Sequence, residues 1–333
     1  MRILVAIAVI AAALWGGYWF VGATAVERAL AAWIAERRSD GWVADYATLD
    51  TRGFPNRFDT TLTDLDIADP ATGWAWTAPF FQILALSYRP THVIAVWPEA
   101  QSLATPLERI DIASDTLRAS VVFEADTALT LDRATLVAEA VRLRSNAGWN
   151  AALAEARLAT RQTAARPLAH DLGFEARDLV LAEALRDGLD PTGLLPGTVA
   201  RLAVDATVAF DAPWDRFAVE RARPQPTAID LRLAEAQWGD LALKLAGSLE
   251  VDAEGRPEGE IVVKATNWRD MIAIAVASGA LPEGMAGTLE GGLGLLAGLS
   301  GDPKTLDVPL RFADGRVSLG PIPLGPAPIL RLR

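Results

Sequence analysis

No charged residue occurs between Ile3 and Phe20, and the apolar run continues through Val21, Gly22 and Ala23 to Ala25. About 20 apolar residues suffice for a helix to cross the hydrocarbon core of a bilayer. Arg2 precedes the run, which predicts an N-terminus left in the cytoplasm and a body delivered to the far side. Trp15, Tyr18, Trp19 and Phe20 occupy the distal half, where aromatic rings favour the membrane–water interface. The helical spacing goes on past Ala25: Leu30, Trp33 and Ile34 share a face, while Glu27, Arg28, Glu36, Arg37 and Arg38 lie largely elsewhere. A cleaved signal peptide is the competing reading, because Ala23-Thr24-Ala25 fits the small-x-small cleavage pattern. The length of the run and its bulky aromatic end favour a retained anchor, and either reading exports the body.

After Gly41 the period changes to two. Between Ser114 and Leu131, residues Leu117, Ala119, Val121, Phe123, Ala125, Leu129 and Leu131 share one parity, while Arg118, Ser120, Glu124, Asp126 and Thr130 take the other. This predicts one long strand, or two strands joined near Asp126, with a dry and a wet face. Leu202, Val204, Ala206 and Val208 repeat the pattern, as do Ile229, Leu231 and Leu233, and then Leu241, Leu243, Leu245, Gly247, Leu249 and Val251. One-faced alternation argues for antiparallel sheet rather than the doubly buried parallel strands of α/β enzymes. Turns are expected at Asp69-Pro70, Asp252-Ala253-Glu254-Gly255 and Asp314-Gly315.

A helical interruption is expected at about 267–299. Asn267 is placed to cap a first helix through Ala277, and Pro282 and Glu283 open a second, glycine-rich one through Leu299. Both are too short or too interrupted to span a bilayer and are expected to cover the end of the sheet. Strands follow at Leu306–Phe312 and Arg316–Leu319. The tail Pro321-Ile322-Pro323-Leu324-Gly325-Pro326-Ala327-Pro328 suits an edge strand whose prolines stop further pairing, in preference to a polyproline ligand.

Composition narrows the chemistry. The 333 residues carry a formal net charge of -11 with no Lys/Arg-rich block, which argues against nucleic acid, since phosphate binding needs a concentrated basic face. There is no cysteine, so disulfides, thiolate metal sites and cysteine nucleophiles are excluded. His92 and His170 are far apart and belong to no HExxH-type motif; each reads as a structural residue. Asp64, Asp66 and Asp69, and Glu250, Asp252 and Glu254, are the clearest acidic groupings. A hydrolase needs two carboxyls converging on one cleft, and calcium needs an oxygen cage. These residues lie at strand alternations and turns, which predicts solvated surface. Trp74, Trp76, Trp97, Trp149, Trp214, Trp238 and Trp268 fit core or sheet-edge positions better than a sugar or lipid platform. Gly291-Gly292-Leu293-Gly294 has neither the lysine nor the preceding strand of a phosphate loop.

Gly53-Phe54-Pro55-Asn56-Arg57-Phe58-Asp59, Ala78-Pro79-Phe80-Phe81-Gln82, Ser87-Tyr88-Arg89-Pro90 with His92 and Trp97-Pro98, Asn267-Trp268-Arg269, and the closing stretch from Gly320 to Pro328 resemble the domain-of-unknown-function family 2125 of Gram-negative bacteria. The likeness runs over nearly the whole chain. It brings no activity, cofactor or catalytic residue, and it implies an inner-membrane anchor with the body in the periplasm. A weaker likeness is to the AsmA-like envelope proteins: Gly247-Ser248-Leu249 through Asp252 to Gly255-Arg256-Pro257 and Gly259, then Asp314-Gly315-Arg316-Val317, resemble their strand-turn repeats. Those proteins are associated with lipid traffic between membranes.

The expected fold is mainly β with a few helices: a transmembrane anchor over 1–25, then a β-rich body over 26–333 forming an extended, curved antiparallel sheet with an AsmA-like groove. The expected function is non-enzymatic, with no cofactor, metal or catalytic residue. The partners expected are the inner membrane through the helix and phospholipid along an apolar groove. The alternatives are an assembly partner of another envelope protein and a carboxylate-dependent hydrolase.

Overall fold

In a computed structural model of the chain, which describes residues 1–164, 166, 168–299, 302–320 and 322–332, the N-terminal pattern forms one unbroken helix, α1 (Arg2–Ser39). It passes Ala25 without a break, and Arg37 and Arg38 in its last turn face the negative end of the helix dipole. Among the described residues strand makes up 51% and helix 22%, so the class is mainly β. Every strand pairing described is antiparallel. The chain divides into two compact units, 1–124 with 136–148 and 125–135 with 149–333.

Unit 1 holds α1 and a meander of short and long strands: β1 (Val43–Asp45), β2 (Thr48–Arg52), β3 (Arg57–Asp69), β4 (Trp74–Leu86), β5 (Arg89–Val96), β6 (Ala100–Ala104), β7 (Arg109–Ala113), β8 (Thr116–Phe123), and the later part of β9 (Leu131–Ser145). β3 lies between β4 and the β1–β2 pair, and β7 pairs with β9. The β3–β4 ladder skips one position, where Asp64 stands opposite Pro79. A proline has no N–H to give to a ladder, and Asp64 takes a φ of 49° there.

Unit 2 is a simpler ladder in which consecutive strands pair: β10 (Asn150–Gln162), β11 (Ala169–Val180), β12 (Thr198–Phe210), β13 (Pro226–Trp238), β14 (Leu241–Val251), β15 (Pro257–Thr266), β16 (Thr305–Ala313), β17 (Arg316–Leu319) and β18 (Ile322–Pro326). Helices α2 (Glu183–Leu189) and α3 (Arg216–Glu220) sit in its connections, and α4 (Trp268–Ala277) and α5 (Glu283–Leu299) between β15 and β16. The register sorts side chains into two faces, since alternate residues point to opposite sides of a strand. Phe174, Val204, Ala234, Leu245, Val263 and Val308 form one apolar row from β11 to β16. At the far end of that face, Trp268 of α4 and Leu289, Leu293 and Ala297 of α5 bury themselves with Ala265, Leu306 and Val308.

The opposite face is a band of ion pairs. Arg201 joins Glu175 (3.1 Å) and Glu235 (2.6 Å), and Lys244 reaches Glu235 at 3.0 Å. A register shift leaves Arg232 as the extra residue of β13, and its guanidinium pairs with Asp205 and donates to Thr207 Oγ1 at 2.6 Å. These contacts hold the carboxyls of Asp171, Glu175 and Asp205 below the ordinary range: Thr207 hydrogen-bonds the first, Arg177 the second and Arg232 the third.

Of the two alternatives for Ser114–Leu131, the structure has two strands joined near Asp126: β8 stops at Phe123, and the chain turns where Asp126 accepts from the N–H and Oγ1 of Thr130 before β9 begins. Two expectations need correction. Asn267 occupies the position before α4, yet it caps nothing with its side chain. Its backbone is left-handed, φ 57°, and its Nδ2 instead donates to Asp240 O at 2.8 Å. Trp33 does not share the buried face of Ile34: Ile34 is buried, whereas Trp33 is exposed with Arg37 over its ring. The turns at Asp69, Asp252–Gly255 and Asp314–Gly315 lie between strands as expected. The proline tail pairs with β17 over Ile322–Pro326, while Pro321 lies outside the described residues.

Candidate functional site: an apolar pocket in unit 2

The N-terminal ends of β11 and β13 and the C-terminal end of β12 bring His170, Leu172, Val208, Phe210, Pro226 and Ile229 together on the dry face. With Leu131, Thr160 and Trp214 they line an open cavity of about 670 Å³, within the size range of small-molecule pockets. Its aromatic wall is well defined. Phe210 and Trp214 meet edge to face at 5.4 Å, and His170 lies 6.2 Å from Phe210. Leu131 N–H donates to Trp214 O at 2.7 Å, which fixes the tryptophan-bearing loop against the start of β9.

The C-terminal segment, Ile329–Leu332, forms the remaining wall. It is tied down by backbone bonds rather than by packing alone. Leu330 N–H donates to Gly255 O at 2.7 Å, and Gln225 both accepts from Leu332 N–H (3.0 Å) and donates to Leu332 O (3.1 Å). Gly255 sits at φ 84°, and a Cβ there would come within 2.8 Å of Arg331 Cγ. Only glycine fits both the turn and the passing segment.

His170 is the one titratable group in the apolar wall that is buried. It is 3% exposed, and Nδ1 lies 3.3 Å from Thr160 Oγ1. Burial pushes its pKa below 6.5, against the opposing pull of Asp132 and Asp171, so the imidazole is neutral at pH 7.

The other residues weighed from the sequence are dispersed. Asp64 and Asp66 are exposed on β3 and border a second cavity, in unit 1, whose charged lining is completed by Arg109, Asp111, Arg142 and Arg144. Asp69 serves its turn, accepting from Ala71 N–H and Thr72 Oγ1. Glu250 and Glu254 are exposed, and Asp252 accepts from the N–H groups of Glu254 and Arg256. Among the described residues no three acidic or histidine side chains gather in a way that could hold a metal ion. His92 Nε2 lies 2.9 Å from Ser120 Oγ across β5 and β8. Of the tryptophans singled out, Trp214 lines the apolar pocket. Trp76 donates to Gln101, Trp238 to Pro196 O and Trp268 to Pro303 O. Phe210, Ile229 and the C-terminal segment were not among the residues weighed for a site from the sequence, although Ile229 was read there as a strand position. Cross-strand alignment of β12 with β13 was the signal that would have joined the first two.

One further feature bears on where the protein works. α1 is long and apolar enough to cross a membrane, and it is the one such helix among the described residues.

No curated protein and no solved structure matches the chain. A family model does, described as an uncharacterized protein conserved in bacteria (DUF2125), over residues 19–328. The match takes in the end of α1, both units and the β18 strand, so the chain belongs to the DUF2125 family.

Proposed function

We propose that this chain is a single-pass inner-membrane protein whose β-rich body lies in the periplasm and holds an acyl chain in the apolar pocket of unit 2. The pocket carries the reading: a cavity of about 670 Å³ walled by Leu131, Leu172, Val208, Phe210, Trp214 and Ile229 offers an aliphatic chain burial and offers a polar substrate almost nothing to bond. The row from Phe174 to Val308 extends the same surface, with Val204 exposed within it and Leu158 exposed beside Phe174. The AsmA-like strand-turn resemblance points the same way.

Two observations support a retained anchor. Trp19 and Ala23 are buried with Phe58, so cleavage after Ala25 would remove part of a core. The helix also runs through the small-x-small site without a break, whereas a cleavable site needs an accessible backbone. Among the carboxyls, each one whose titration departs from the ordinary value shifts downward, so none of these is poised as the general acid that the hydrolase alternative needs. A general acid needs the opposite shift.

The test is to purify the full chain in mild detergent, extract it and identify co-purifying lipid by mass spectrometry. Phospholipid in stoichiometric amount is expected. Val208→Trp, which fills the pocket, should lower bound lipid several-fold while leaving the thermal midpoint nearly unchanged. A parent protein that is empty, or a pocket-filled variant that retains as much lipid as the parent, would defeat the lipid reading. A second reading, an assembly partner for another envelope protein, draws on Leu295, which is 75% exposed on α5. Crosslinking in intact cells separates the two, since only this reading requires a stoichiometric protein partner.

A further inference from the structure

The contacts of α1 leave too little free helix to cross a bilayer. Arg2–Leu14, thirteen residues, are exposed, and no side-chain hydrogen bond ties them to the body. At 1.5 Å per residue they span about 20 Å, against a hydrocarbon core of about 30 Å. From Trp15 onward the helix is fastened to unit 1. Trp15 Nε1 donates to Pro55 O (3.1 Å), Tyr18 Oη to Ser87 O (2.6 Å) and Trp19 Nε1 to Arg57 O (2.7 Å). Further along, Thr51 N–H donates to Glu27 Oε1 at 2.8 Å. If the helix spans at all, the missing 10 Å, roughly seven residues, is Trp15–Val21, and whatever is fastened to that stretch enters the membrane with it.

What is fastened there is suited to lipid. The loop between β2 and β3 presents Phe54, 56% exposed, stacked on Phe20 and edge-on to Trp19. The neighbouring turn between β4 and β5 presents Tyr88, 57% exposed. In hydrocarbon an unpaired backbone group is expensive because water is not there to bond it. Here the carbonyls of Pro55, Arg57 and Ser87 are already bonded by the indoles and phenol of α1, Pro55 has no N–H, and Ser87 N–H donates to Asn56 O. The cations flanking these tips, Arg52 and Arg89, are exposed, at the level where anionic headgroups would meet them.

We infer that the Phe54 loop and the Ser87–Tyr88 turn form, with Trp15, Tyr18 and Phe20 of α1, a face of unit 1 seated in the acyl–headgroup boundary of the periplasmic leaflet. This rests on the membrane-anchor reading and adds to it that the body is partly submerged rather than hung from a tether. The occupant is the bilayer itself.

The absence of cysteine makes the test direct. Single variants Ile7→Cys, Phe54→Cys, Tyr88→Cys and Leu107→Cys of the full chain are nitroxide-labelled and reconstituted in vesicles of phosphatidylethanolamine and phosphatidylglycerol. Collisions with dissolved oxygen are then compared with collisions with a water-soluble nickel chelate. Leu107, 93% exposed on the turn between β6 and β7, is the reference for water. Labels at positions 54 and 88 should show a several-fold lower nickel collision rate than at 107, with the label at 7 deeper still. If 7 is shielded while 54 and 88 both match 107, the submerged face is refuted and the anchor stands. If 7 itself matches 107, the anchor reading fails and takes this inference with it. Phe54 and Tyr88 are tested separately, so loss of fold in one variant leaves the other to decide.

Discussion

Unit 1 covers Phe58 with Trp19 and Ala23 of a helix that is otherwise largely exposed over its first two dozen residues, whereas unit 2 covers its dry face from within, using α4, α5 and the C-terminal segment. The first unit therefore borrows part of its core from a segment long and apolar enough to cross a membrane. The second keeps a self-contained core at one end of the sheet and leaves an open pocket at the other. The difference teaches where each unit's stability resides, and it can be broken experimentally one unit at a time.

The largest effect is expected from deleting residues 1–25. Phe58 loses its cover, and the carbonyls of Pro55, Arg57 and Ser87 lose their donors. Unit 1 should lose at least about 3 kcal/mol, the scale of removing a large buried aromatic. Hydrogen exchange resolved by peptide should show unit 2 protected as before; equal loss in both would erase the contrast. Trp268→Ala is the counterpart in unit 2. The residue is 2% exposed, and truncation should cost about 3–5 kcal/mol, with faster exchange confined to α4, α5 and β16. Loss of protection in α1 would show that the cores are not separate.

A smaller effect concerns pH. The pKa of His170 is lowered by burial from 6.5, so between the two values the unfolded chain binds more protons than the folded one. Stability is then full above pH 6.5 and falls as the pH drops through the folded pKa. Thermal midpoints of His170→Gln should show a shallower decline on acidification below that pH than the parent; an identical slope would mean that the imidazole is not the group responsible. The smallest effect is expected from Arg232→Ala. Its ion pair with Asp205 lies on the wet face, with both side chains about half exposed, and such pairs are worth about 0.2–1 kcal/mol. A larger cost in chemical denaturation would move part of unit 2's stability to its charged face.

Much of unit 2 was legible because period-two alternation persists through long strands. Leu202, Val204, Ala206 and Val208 of β12 declare their face without help from neighbours. The end helices were legible from Pro282 and the run after Trp268. Features set by distant partners were not. Nothing near Phe58 announces that Trp19, far earlier in the chain, will lie on it. Asn267 has the composition of a cap, but the demand of Asp240 O and a left-handed backbone took its amide elsewhere. α3 could have been found, since Asp215 accepts from Phe217 and Ala218 N–H as a helix-opening aspartate does. The pocket depended on a segment 107 residues along from Gln225 and was hidden for that reason.

The fastening of Trp15, Tyr18 and Trp19 to three backbone carbonyls has a consequence for biogenesis. A chain whose leading segment is still held elsewhere cannot complete unit 1, because the surface that Phe58 needs is not yet free. Freeing that segment and closing the first unit become a single event, while the second unit is at liberty to fold on its own schedule.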